Sequence, residues 1–144
     1  DFIVSPRVTN IVRSIVDMSE LREAFSGVNI DYVFHLASQS IVDQGDLDPV
    51  ATFKTNIEGT WNILQLAKEK KVSGIVLASS MNVYKESVTS ALSEKDAITL
   101  ESPYSYSKYS AEIAAKHYSM AYKIPVTVIR LGMVFGGGDM NTSR

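Results

Sequence analysis

The chain has 144 residues and no cysteine. Disulfide staples and thiolate chemistry are thereby excluded, and the absence suits a cytoplasmic protein. Histidine is nearly as scarce. His35 and His117 stand alone, without the spaced carboxylates that a metal centre needs, so no metal is expected. No apolar run approaches the roughly 18 residues that would cross a bilayer, and no signal peptide opens the chain. Charge of one sign does not accumulate either. Fourteen Lys and Arg against sixteen Asp and Glu give a net charge of -2, with no basic stripe to attract nucleic acid or an anionic membrane surface. Glycine is missing from the first 26 residues, so no phosphate-cradling glycine loop precedes the first apolar segment. The chain opens on Asp1 rather than Met and stops at Arg144, soon after Gly136-Gly137-Gly138; it reads as a fragment.

What is present alternates. Residues 10–16 are apolar and β-branched and predict a short strand. Asp17 with Glu20 three residues on predicts a helix start, running to about residue 25. Residues 32–37 (YVFHLA) form a nearly continuous apolar run, as strands buried on both faces do. Asp48-Pro49 reads as an N-cap with proline in first helical position. Val50, Phe53, Ile57, Trp61 and Leu64 then recur at helical spacing to about residue 71, with Phe53 and Trp61 expected in the core. Residues 73–79 (SGIVLAS) predict a buried strand, residues 85–102 a polar loop, residues 103–122 a long helix and residues 126–131 (VTVIRL) a last strand. This β-α-β-α-β-α-β order predicts an α/β fold, a partial doubly wound parallel sheet of Rossmann type with helices on both faces.

In open parallel sheets, ligands bind beyond the carboxyl ends of the strands. Three polar clusters fall there: Ala37-Ser38-Gln39-Ser40, Ser79-Ser80-Met81-Asn82 and Gly132-Met133. Tyr104 and Lys108 stand four apart in the long helix and so share a face. A nearby ammonium, with the charge of an oxidised nicotinamide, would favour the phenolate of Tyr104. Ser80, ending the preceding strand, could hydrogen-bond the oxygen whose proton Tyr104 takes. Chance alone supplies about 0.4 Tyr-x-x-x-Lys pairs in this composition, so placement after a serine-tipped strand carries more weight than spacing. His35, inside an apolar strand, reads as a satisfied core histidine. Residues 68–71 (KEKK) read as a solvated helix end suited to the helix dipole.

The strings VFHLAS (33–38), TNIEGTWNIL (55–64), VLASSMNVY (76–84), SPYSYSK (102–108) and VIRLGMVFGGGD (128–139) together resemble the extended short-chain dehydrogenase/reductase superfamily. Within it, they resemble the NAD-dependent epimerase/dehydratase family that acts on sugar nucleotides. The resemblance spans about residues 10–140. It implies that Ser80 is the catalytic Ser/Thr, Tyr104 the catalytic base and Lys108 the lysine on the nicotinamide ribose. Leu36, Ala37, Ser38 and Ser40 would line the cofactor, and Asn56 would be the asparagine of the helix beside the site. Ser14 and Ile15 would meet the adenine, and Gly132 the nicotinamide. Met81, Asn82 and Met133 would face the sugar with Ser80. Two positions depart from the pattern: Ser14 replaces the usual Asp, and Met133 the usual Asn.

By the same resemblance the cofactor is NAD, with NADP left open, and the partners are a nucleotide sugar and, in the full-length protein, a second copy. Small residues at Ala111, Ala114 and Ala115 would let paired helices approach closely. The GGGD and PYSYSK strings look most like CDP-glucose 4,6-dehydratases. Such enzymes place an acidic residue directly after the catalytic Ser/Thr, however, where this chain has Met81 and Asn82. Neither donates a proton as a carboxylic acid does, which favours a UDP-glucose 4-epimerase-like reaction over loss of water. A non-catalytic nucleotide-binding relative would be expected to lack the Tyr and Lys. In strand order 3-2-1-4-5-6, residues 10–16 would be strand three, leaving strands one and two and the carboxyl-terminal substrate domain outside this chain. As a fragment, it is expected neither to turn over substrate nor to hold NAD tightly.

Overall fold

The computed structural model of the chain describes residues 6–84, 91–134 and 136. Parallel pairing organises them. Strand β1 (Tyr32–His35) runs beside β2 (Gly74–Ser80), and β2 beside β3 (Val126–Leu131), in the order β1-β2-β3. The register sets His35 opposite Leu77, and Ser80 opposite Leu131. All three strands therefore end at one edge, and the segments leaving them emerge side by side.

Local chemistry explains where the helices begin. Asp17 caps α1 (Met18–Ala24) by accepting from the backbone N–H groups of Ser19 and Glu20, both at 2.9 Å. A short helix α2 (Val42–Leu47) follows β1. Asp48 then caps α3 (Pro49–Phe53) through the N–H of Ala51 at 2.9 Å, with Pro49 needing no donor there. A π-helical turn (Lys54–Glu58) joins α3 without a break to α4 (Gly59–Lys70). A single 3₁₀ turn (Met81–Val83) follows β2. Ser102 and Ser105 cap each other's backbone at the start of α5 (Pro103–Tyr122). Helices α4 and α5 both stop at a left-handed lysine, Lys71 (φ 54°) and Lys123 (φ 58°). Among the described residues, no helix is long and apolar enough to cross a membrane.

The core lies between α4, α5 and one face of the sheet. Leu64 and Ala67 from α4 meet Ala111 and Ala115 from α5 over Ile75 and Leu77 of β2. Burial of this apolar surface is the main source of stability.

The parallel α/β reading agrees with this architecture, but several details differ. Residues 10–16 form no ladder: in the expected order two strands separate them from β1, and no described strand fills the gap. Among the described residues, helices cover one sheet face only. Tyr32 and Phe34 stand 65% and 69% exposed on the other. Along α3 and α4 the expected apolar stripe is split: Leu64 lies in the core and Ile57 is half-buried, whereas Val50 is 74% and Trp61 51% exposed and Phe53 is also exposed. Thr52, Asn56 and Thr60 are buried instead. Asn56 and Thr60 find hydrogen-bond partners inside, which removes the penalty of burying them. Ala111 and Ala115 are likewise committed to the chain's own core, with Ala114 packed against it, so these small residues seat α5 on β2 rather than offering a surface. Helix α2 was not anticipated. Residues 85–90 of the polar stretch, and Gly137, Gly138 and Asp139 of the glycine run, lie outside the described residues.

The left-handed ends give a direct expectation. Lys123 is exposed and holds a backbone that disfavours any Cβ. Lys123→Gly should raise stability by about 1 kcal/mol, read as a higher urea midpoint at unchanged slope.

Candidate active site

The shared strand edge holds a cavity of about 570 Å³, within the range of small-molecule sites. Leu36, Ser38 and Ser40 line it from the segment after β1. Ser80, Met81 and Asn82 line it from the end of β2 and its 3₁₀ turn, Tyr104 and Lys108 from α5, and Gly132 and Met133 from beyond β3. Ten of the residues singled out from the sequence thus share one cavity. Its other lining includes Ile41, Val42 and Asp43 at the start of α2, a helix that the sequence did not announce.

Four anticipated residues lie elsewhere. Ala37 is not among the lining residues. Ser14 borders a separate cavity of about 650 Å³ with Asp17, Lys54 and Glu58. Ile15 packs against Gly59 so closely that an added Cβ would come within 2.6 Å of its Cδ1. Asn56 is buried behind the cavity wall with its amide spent internally. Its Oδ1 accepts from the N–H of Gln39 at 2.7 Å. Its Nδ2 donates to the Gln39 carbonyl at 3.0 Å and to Ser107 Oγ at 2.9 Å. Ser107 in turn donates to the Tyr104 carbonyl at 2.7 Å. Asn56 therefore ties the segment after β1 to the first turn of α5.

Two ionisable groups of the site are buried, Tyr104 at 8% and Lys108 at 6% exposure. Burial pushes the Tyr104 phenol above its ordinary value, and a hydrogen bond with Ser80 works in the other direction. Lys108 is held below its ordinary value by burial, while Glu112 favours its charge. The expected depression of Tyr104 by Lys108 is thus not a property of the chain by itself. Desolvation dominates, and the phenol stays protonated at neutral pH. Ser80 Oγ also accepts from the backbone N–H of Asn82 at 3.2 Å, which fixes the serine at the mouth of the 3₁₀ turn.

His35 fits its reading as a core residue. Thr60 gives its hydroxyl proton to the Asn56 carbonyl at 2.6 Å, which leaves its oxygen to accept from His35 Nε2 at 2.9 Å. Burial, with the charge of Lys108, pushes His35 down to about 4.

A second polar cluster, behind the site, was not foreseen. Glu112 accepts from Ser79 Oγ at 2.5 Å and from Arg130 at 3.0 and 2.7 Å. Arg130 also donates to the Tyr84 hydroxyl at 2.6 Å. Two signals were available: Glu112 stands four residues beyond Lys108, and Arg130 is the one charge in an otherwise apolar strand.

The model of the NAD dependent epimerase/dehydratase family matches residues 5–144. The chain belongs to this family. It is 30% identical over 130 residues to a probable UDP-glucuronate 4-epimerase of Rhizobium meliloti, covering 88% of the chain and 37% of that relative. It is similar to the dTDP-glucose 4,6-dehydratase DesIV of Streptomyces venezuelae, solved with NAD bound, at 28% identity and a TM-score of 0.80 over 88% of this chain and 38% of that one. RMD of Pseudomonas aeruginosa, solved with NADPH, is similar at 27% identity and a TM-score of 0.84, over 92% and 46%. The chain spans about a third of the length of the curated relatives it matches.

The His35 environment predicts a pH dependence. An unfolded histidine takes up its proton near 6.5, the buried one only near 4. Between those values the unfolded chain binds the extra proton, so stability is lost as pH falls through that window. His35→Gln keeps a donor for Thr60 but does not titrate. Urea unfolding from pH 7 to 4 should therefore give a shallower loss in the variant, by up to about 1.4 kcal/mol per pH unit.

Proposed function

We propose that this chain forms the nicotinamide-facing part of the active site of a NAD- or NADP-dependent sugar-nucleotide epimerase, within a larger Rossmann-type domain. The observation that carries the reading is the meeting of Ser80, Tyr104 and Lys108 in one cavity at the carboxyl edge of a parallel sheet. The cavity suits the nicotinamide end of such a cofactor. It joins apolar walls at Leu36 and Leu131 to a buried phenol and ammonium, and Gly132 leaves backbone accessible where an added Cβ would come only within 3.6 Å of Met81. Leu36, Ser38, Ser40, Lys108 and Gly132 would hold that end. A bound oxidised nicotinamide supplies the hydride acceptor and a positive charge.

The chain's own residues do the rest. Ser80 hydrogen-bonds the reacting sugar oxygen and orients it. Tyr104 receives the proton of that hydroxyl and later returns it. The buried phenol resists ionisation, so proton uptake by Tyr104 depends on positive charge gathered around it, to which Lys108 contributes. Met81 and Asn82, beside Ser80, offer no carboxylic acid for expelling the C6 hydroxyl of the sugar. That supports epimerisation over 4,6-dehydration, although relatives of both kinds are similar to the chain. Two copies would pair through the outward sides of α4 and α5, a reading supported by exposed Trp61, Tyr106, Ile113 and Met120.

Tyr104→Phe in the full-length protein should lower turnover by about 100-fold or more while circular dichroism stays unchanged. Retained activity would overturn the assignment of Tyr104. The reaction itself is tested by offering UDP-glucose, UDP-glucuronate, dTDP-glucose and CDP-glucose. The expected product is the C4 epimer, and a stable 4-keto-6-deoxy sugar nucleotide would identify a dehydratase instead.

A further inference from the structure

The cluster behind the site has no part in the mechanism above, yet it joins β2 and α5, which carry Ser80, Tyr104 and Lys108, to β3, which leads into Gly132. Glu112 lies on α5 one turn beyond Lys108 and two turns beyond Tyr104, on the same face. One carboxylate oxygen accepts from Ser79 Oγ at 2.5 Å and Arg130 Nε at 3.0 Å, and the other from Arg130 Nη2 at 2.7 Å. Ser79 is the neighbour of Ser80 in β2. Arg130 lies two residues before Gly132, and its remaining nitrogen holds the hydroxyl of Tyr84 at 2.6 Å, at the end of the turn that begins at Met81.

Stability is a poor reason for such a group. Taking a carboxylate and a guanidinium out of water costs most of what their attraction returns, and apolar replacements of similar volume are often neutral or better. Glu112 is 9% exposed, so that penalty applies here. Direction is the better reason. A bidentate Arg–carboxylate pair has a fixed plane, and the short O–H···O⁻ bond from Ser79 adds a third anchor. Side chains of adjacent strand residues leave opposite faces. Pinning Ser79 therefore sets the rotation of the strand end, and with it the aim of Ser80 toward Tyr104.

We infer that Glu112, acting through Ser79 and Arg130, is the positioning residue that holds Ser80 in register with Tyr104 and Lys108. The inference deepens the functional reading above and rests on it. Glu112 is not among the residues lining the site cavity; it locks β2, β3 and α5 into one geometry, and a displacement of about 1 Å at such a site can cost about 100-fold in rate.

The test uses full-length enzyme carrying Glu112→Gln, Ser79→Ala or Tyr104→Phe. Each is assayed with whichever of the four sugar nucleotides named above the wild type turns over fastest. Rates are normalised to folded, cofactor-loaded protein. Glu112→Gln should lower kcat about tenfold or more and Ser79→Ala about threefold or more, each with KM within about twofold of wild type. The double variant Glu112→Gln/Ser79→Ala should be no slower than Glu112→Gln alone, because both act through one device. If Glu112→Gln does not fold, Ser79→Ala decides, since it removes only a hydroxyl. A smaller loss of kcat in Ser79→Ala, or a KM that rises in step with the fall in kcat, overturns the inference while Tyr104→Phe remains inactive. An active Tyr104→Phe overturns the underlying reading and the inference with it.

Discussion

Strand β2 is hydrogen-bonded along both edges, and the rest of the chain depends on that double pairing. A strand with neighbours on both sides has no freedom to slip, because a one-residue shift would turn Ile75 and Leu77 away from α4 and α5. Its carboxyl end is thereby fixed, and Ser80 with it. The parallel arrangement then makes β1 and β3 end at the same edge, so three separate segments deliver side chains to one cavity. The geometry of that cavity grows out of strand register more than out of any loop.

Packing around β2 divides between two kinds of interaction. Near the amino ends of the strands, apolar residues from α4 and α5 close the core. Toward the carboxyl ends the interior becomes polar: His35 with Thr60, Asn56 with Gln39 and Ser107, and Glu112 with Ser79 and Arg130. Apolar contacts are tolerant of small shifts, whereas hydrogen bonds are not. The molecule therefore gains its cohesion from one end of the sheet and its definition from the other. Ser80, Tyr104 and Lys108 sit at the defined end.

Much of this was legible in the sequence, for identifiable reasons. The three strands were announced by β-branched runs bounded by Gly74, Pro125 and polar clusters. The helix starts were announced by Asp17, Asp48-Pro49 and Ser102-Pro103. That Ser80, Tyr104 and Lys108 share one cavity was legible because family spacing and strand topology point to the same edge. What was misread shares a cause. Periodicity reports how apolar a face is, not which face has partners waiting, so Phe53 and Trp61 were assigned inward while Asn56 and Thr60 hold the inside positions. Residues 10–16 carry strand-forming residues, but a strand exists only where a neighbour pairs with it. Helix α2, with Gly45 at its centre and little apolar periodicity, left no signal of its own.

The π-helical turn at Lys54–Glu58 absorbs a residue within the long helix. Such a turn holds one residue more than α-helical winding would. Five π-helical residues and four α-helical ones turn through nearly the same angle, so the elements on either side keep the facing that an unbroken α-helix would give them. A single-codon deletion inside the turn that spares Asn56 would therefore be taken up as regular winding. The same deletion elsewhere in α3 or α4 would rotate everything upstream by about 100° and carry Thr52 out of the interior.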